Sequence, residues 1–241
     1  MAAHQTARGD RSGRGSPTGA PATNHIRAVQ GVVTGDQDPR PTRSMLVTGA
    51  RGGQGTTTVA AALALSAAVT GPAVLVAPPH QAAAAVLGVP SPERGESIEV
   101  TARLALAAPP AIVNADTIVV DGGLHAGSSQ WLSADEGESY VVVRGPCYLA
   151  LTTLLAATAH RPDGVILVAE EGRSLTARDV FEVTGLPVVA TVEASHRVAR
   201  TIDAGLLPTR ITRLHELAQL RALAADPNRA PTSLHRRSDA R

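Results

Sequence analysis

The sequence predicts an α/β fold, a doubly wound, mostly parallel sheet flanked by helices. Three observations lead there. Short, almost wholly apolar runs alternate with helix-like stretches, the pattern of strands buried on both faces of a parallel sheet. A glycine-rich turn, Gly49 to Gly55, joins the first apolar run to an Ala-rich stretch. Aromatic residues are only 2% of the chain against 44% hydrophobic residues, so the core must be built from Ala, Val and Leu in close helix-on-sheet layers.

In chain order, strands are expected at Met45–Thr48, Ala73–Ala77, Thr117–Asp121, Tyr140–Arg144, Gly164–Val168 and Pro187–Val192. Helices are expected at Thr57–Val69, Gln81–Leu87, Glu96–Ala107, Tyr148–His160, Leu175–Thr184, Ser195–Ala204 and Ile211–Ala224. The last carries Ile211, Leu214, Leu217, Leu220 and Leu223 at a spacing of three, which drifts around an α-helix. Packing on the sheet explains it better than a membrane-surface role for residues 210–224. Residues 1–43 and 226–241 are rich in Gly, Pro, Arg and Ser without apolar periodicity, so a disordered arm and tail are expected around one domain at 44–225.

Bulk properties exclude several functions. A net charge of +1 creates no global field for nucleic acid, and no specific nucleic-acid partner is indicated. One cysteine, Cys147, rules out an internal disulfide and a cysteine-based zinc site. The scattered His residues, with His4, His25 and His235 in the arm and tail, show no metal-ligand spacing. No stretch approaches the roughly 18–20 apolar residues of a membrane helix. With no apolar signal core at the start, a cytoplasmic location is expected.

The chemistry sits in the glycine loop. A strand, a glycine turn and a helix start form an anion site, because glycine lets the backbone approach and the first helical N–H groups point at phosphate. The cradle comprises Arg51, Gly52, Gly53, Gln54, Gly55, Thr56, Thr57 and Thr58. A working phosphate loop places Lys at position 56. Thr56 stands there, and the chain contains no lysine at all; its 22 basic side chains are arginines. Thr57 and Asp121 are the candidate Mg²⁺ partners. Each of these residues also has a bland reading: turn glycines, an N-cap, a solvated loop charge, a strand-end carboxylate.

Two families fit the loop. Thr48-Gly49 with Gly53 and Gly55 resembles the loop of NAD(P)-binding short-chain dehydrogenases. That resemblance implies a Tyr-x-x-x-Lys pair, yet Tyr140 is followed by Arg144 and Tyr148 by Thr152. Ala77-Pro78-Pro79 also lacks the ribose-binding carboxylate. The better fit is Arg51-Gly52-Gly53-Gln54-Gly55-Thr56-Thr57-Thr58, which resembles the deviant Walker A of the ParA/MinD family of P-loop ATPases. Val74 to Gln81 is similar to that family's second strand and Asp-x-Asp-Pro-Gln segment, Asp116 to Asp121 to its Walker B strand, and Val165 to Leu207 to its closing region.

The resemblance spans about residues 44–210 and implies a P-loop NTPase-like fold, ATP or ADP with Mg²⁺, and action through a homodimer or protein partner in positioning, partitioning or assembly. The departures fall on the charged positions. The family's signature lysine aligns with Arg51, its phosphate lysine with Thr56, and two aspartates with Ala77 and Pro79. The stretch from Ala77 to Asp121 is also short for the family. The reading is a degenerate, weakly binding pseudo-ATPase. The alternatives are an active ATPase using Arg51 or a partner's arginine, and an NAD(P)-binding protein without its catalytic pair.

Overall fold

The computed structural model describes residues 43–78, 81–111, 114–125, 137–145, 148–156, 161–173 and 175–226. Pro79, Cys147, residues 1–42 of the expected arm (1–43) and residues 227–241 of the expected tail (226–241) lie outside these residues, as does the expected helix end at 157–160; Arg43, expected in the arm, instead opens β1, where it pairs with the first residue of β5.

The chain order is β1 (Arg43–Gly49), α1 (Thr56–Thr70), β2 (Ala73–Val76), α2 (Gln81–Leu87), β3 (Ser97–Thr101), β4 (Leu104–Ala107), β5 (Thr117–Leu124) and β6 (Glu138–Arg144). There follow α3 (Tyr148–Ala156), β7 (Gly164–Ala169), α4 (Ala177–Thr184), β8 (Val188–Glu193), α5 (His196–Asp203), α6 (Leu207–Arg210) and α7 (Ala218–Ala225). One sheet runs β3-β4-β2-β5-β1-β6-β7-β8. Every pair is parallel except β3 with β4.

Alternation along the central strands sorts the core into two layers. Val142, Ile166 and Val168 face α1 and the C-terminal helices, whereas Val141, Val143, Val165 and Leu167 face α3 and α4. Helix α1 is buried continuously from Val59 to Ala68. It lies between the sheet and α7, which is why it consists of Ala, Val and Leu on all sides.

Two expected helices are corrected. Residues 96–107 form a β-hairpin. Ser97-Ile98-Glu99-Val100-Thr101 alternates with period two and is β-branched at three positions, which suits a pleated strand. The Thr101 hydroxyl accepts from the N–H groups of Arg103 (3.3 Å) and Leu104 (3.1 Å), closing the turn. The stretch 211–224 is not one helix: 3₁₀ turns at Ile211–Arg213 and His215–Leu217 precede α7. A 3₁₀ helix has three residues per turn, so it keeps the three-spaced side chains on one line. All five are buried against the core, which leaves no apolar face there for a membrane. No helix among the described residues is long and apolar enough to cross one.

At the end of β1 away from the glycine loop, Arg43 forms a bidentate pair with buried Glu138, with Nε–Oε1 and Nη2–Oε2 both 2.9 Å. It also donates to the carbonyls of Ala224 (2.8 Å) and Leu223 (3.1 Å) at the end of α7. The Tyr140 hydroxyl donates to the same carboxylate. Burial opposes the Arg43 charge, but the Glu138 contacts outweigh it and its pKa is raised.

Candidate nucleotide site

The glycine loop leaves the carboxyl end of β1, between β5 and β6, where ligands bind on open α/β sheets. The Ala50 N–H donates to the Val142 carbonyl at 3.0 Å, anchoring the loop base. Gly53 and Gly55 have φ of 76° and 84°, a left-handed backbone that disfavours other residues. A Cβ at Gly52, Gly53 or Gly55 would meet nothing within 4 Å, so open space lies beside the loop. No side chain caps α1 and its first turn carries no carboxylate. The first N–H groups of a fifteen-residue helix therefore have no side-chain acceptor of their own. That arrangement fits a phosphate group.

The side chains fit less completely. Thr56 carries no charge, and its Oγ1 folds back against Gly49 so closely that a Cβ on Gly49 would clash with it. The Thr57 hydroxyl makes no hydrogen bond among the described residues, which suits a metal ligand. Asp121 lies near the end of β5, in register with Val47, and is 5% exposed. Its Oδ1 accepts from the Gly123 N–H at 3.2 Å. Arg51 is exposed and makes no hydrogen bond or ion pair among the described residues. Ala77 is buried at 4% exposure, and its N–H donates to the Ala107 carbonyl (3.1 Å). It offers no group to orient water where the resembling family has an aspartate.

The site extends to residues that sequence reasoning missed. A cavity of about 280 Å³ opens beside the loop, lined by Gln54, Gly55 and Thr58 of the loop and helix start and by Arg144, Glu193, Ser195 and His196 from other strand ends. It is near the low end of small-molecule pockets, roughly 300–1,000 Å³. Ser195 caps α5 by accepting from the Val198 N–H (3.1 Å) and donates to buried Glu216 (2.8 Å). Burial opposes the Glu216 charge. Its own N–H, the Ser195 hydroxyl and the His215 and Arg197 charges outweigh it, so the pKa is lowered. Gln54 Oε1 accepts from the Arg144 N–H at 2.7 Å and ties the loop to β6. Sequence places Gln54 in the cradle; only the fold brings β6 beside it.

The dehydrogenase alternative is corrected by topology and by one side chain. Dinucleotide-binding sheets place β1 next to β2; here β5 separates them. Tyr140 is 2% exposed, lies on a strand and is committed to Glu138, so it cannot serve as an exchangeable acid.

No family model and no curated protein matches the chain. Solved structures do. A ParA family ATPase from Chlorobium tepidum superposes with a TM-score of 0.64 at 14% identity, over 79% of this chain and 100% of that one. The MinC:MinD cell division complex of Aquifex aeolicus gives 0.62 at 15% identity, over 77% and 96%. MinD of Pyrococcus horikoshii, complexed with Mg-ADP, gives 0.55 at 18% identity, over 76% and 94%. The strand order, the glycine loop and these superpositions together give this chain the fold of the ParA/MinD P-loop ATPases.

Proposed function

We propose that this chain binds ATP or ADP with Mg²⁺ weakly at Arg51–Thr58, hydrolyses it little or not at all, and works as a pseudo-ATPase. The observation that carries the reading is the open glycine cradle beside a buried Ala77. The backbone groups that hold phosphate are present, whereas the side chains that drive phosphoryl transfer are replaced. Phosphoryl transfer rests on positioning and charge stabilisation. Thr56 supplies no cation and Ala77 positions no water, so binding can outlast chemistry.

Thr57 and Asp121 would hold the metal, directly and through water respectively, and Mg²⁺ when bound would neutralise phosphate charge. The cavity beside Gly55 and Thr58 would take the nucleoside end. That P. horikoshii MinD, of similar fold, is complexed with Mg-ADP supports nucleotide and Mg²⁺ as the ligands. A protein without turnover acts through a surface, so the reading extends to a homodimer or partner protein in a cytoplasmic positioning, partitioning or assembly system. With Arg43 added to the expected 44–225, residues 43–225 would form its single domain, and residues 1–42 and the tail would be dispensable for folding.

The test is titration of the full chain with labelled ATP, ADP and NADH, with and without Mg²⁺, beside a turnover assay. Mg²⁺-dependent binding of ATP and ADP but not NADH, with negligible turnover, is expected. Turnover near the roughly 1 s⁻¹ low end of enzymes, abolished by Thr57→Ala, would instead favour an active ATPase using the unpaired Arg51.

A further inference from the structure

We infer that Arg144 is the cation this chain turns toward the phosphates of a bound nucleotide, and that Glu170 holds it in reserve. The inference rests on the nucleotide reading above and adds the residue that supplies the missing charge.

Arg144 ends β6, and its backbone N–H is bound by Gln54 of the glycine loop, so its position is locked to the cradle. It lines the cavity that Gly55 and Thr58 also line, and its side chain is 47% exposed. Nε donates to Glu170 Oε1 at 2.7 Å, while the two terminal nitrogens make no hydrogen bond among the described residues. A guanidinium has five donors in a planar fork that matches phosphate. Here the end of that fork is open beside a loop of unclaimed N–H groups.

Glu170 is shared. Arg173 reaches its other oxygen through Nε and Nη2, each at 3.2 Å. Two arginines share this one carboxylate, and of the three only Arg144 lines the cavity, where Glu193 is the other charged residue. The cluster is built rather than incidental. Gly145, at φ of 47°, lets Glu170 and Arg173 close over the backbone; a Cβ there would strike the Glu170 carboxylate and approach Arg173 Nε to 3.0 Å. Arg173 also keeps Glu170 neutralised if Arg144 leaves it, so the exchange strands no charge. Arg51, by contrast, is exposed and makes no hydrogen bond or ion pair among the described residues, and so has more freedom to lose on binding a ligand.

Arg144 lines the cavity assigned to the nucleoside end, so the phosphates within its reach are the inner ones, which ADP and ATP share. The experiment is fluorescent ADP and ATP titration of the full chain, Arg144→Ala, Arg144→Lys and Glu170→Gln, with melting temperatures recorded for each. Loss of one charge-assisted contact is expected to weaken ADP and ATP equally, by about ten-fold. Arg144→Lys should recover part of this. Glu170→Gln, which removes the competing carboxylate, should tighten both ligands several-fold.

Unchanged affinity in a folded Arg144→Ala protein would overturn the inference and leave the cradle intact. Weakening of ATP alone would overturn the placement on the inner phosphates. If Arg144→Ala does not fold, Glu170→Gln decides: no tightening overturns the inference. A parent chain that binds neither nucleotide overturns the cradle reading first, and this inference with it.

Discussion

Replacing Arg43 with alanine tests how the fold is closed far from the glycine loop. The Arg43 side chain is 17% exposed and that of Glu138 5%, so this is a largely desolvated pair. Arg43→Ala removes both bonds to Glu138 and both bonds to the last carbonyls of α7. Glu138 then keeps Tyr140 but loses its countercharge. Removing one partner of a buried pair costs about 3–5 kcal/mol. A domain of this size loses about 2–4 °C of melting temperature per kcal/mol, so a drop of about 6–20 °C is expected at neutral pH.

Thermal denaturation followed by circular dichroism at neutral pH reads the effect. Deleting residues 1–42 should leave the melting temperature in place, and deleting 1–43 should reproduce the Arg43→Ala loss. A drop under about 2 °C for Arg43→Ala would refute the argument that this pair closes the fold.

Thr56→Lys should place an ammonium beside the outer phosphate and raise ATP affinity about ten-fold, without restoring turnover, because Ala77 remains; calorimetric titration checks it, and no gain would leave the loop as a mere turn. Gly88→Ala should cost at least about 2 kcal/mol, since φ is 68° and the new Cβ would come within 2.9 Å of the Gly205 Cα; denaturant unfolding measures it. Acid should destabilise the domain. Glu170, lowered mainly by the Arg144 hydrogen bond, and Glu216 both have folded pKa values below their unfolded ones, as does Asp179, held by Thr176. Their contribution is complete above the unfolded range near pH ~4 and disappears as pH falls through the folded values. A melting temperature flat from pH 5 to pH 3 would contradict this.

Much of the architecture was legible in the chain itself because it follows from local rules. Apolar runs such as Val141–Val143 and Val165–Val168 can be satisfied only when both faces are covered, and that requirement alone indicates a parallel sheet under helices. Gly53 and Gly55 sit where a strand turns into a helix, and Thr176 with Asp179 caps α4 within four residues. Other features were decided only by tertiary packing. Residues 97–107 became an edge hairpin because β2 offered β4 a partner, and no local signal reports that neighbour. The stretch from Ile211 to Leu217 took 3₁₀ turns because its buried contacts required a straight three-residue line, at the expense of the better hydrogen bonds of an α-helix.

The site divides in the same way. Gly52 to Thr58 is contiguous, so its purpose can be read from spacing. Arg144 lies ninety residues from Gln54 and twenty-six from Glu170, and Ser195 reaches the same cavity from yet another strand end. Sequence separation carries no information about which strand ends meet. Strand order does, and it is set by the burial of whole strands rather than by any property of these polar side chains.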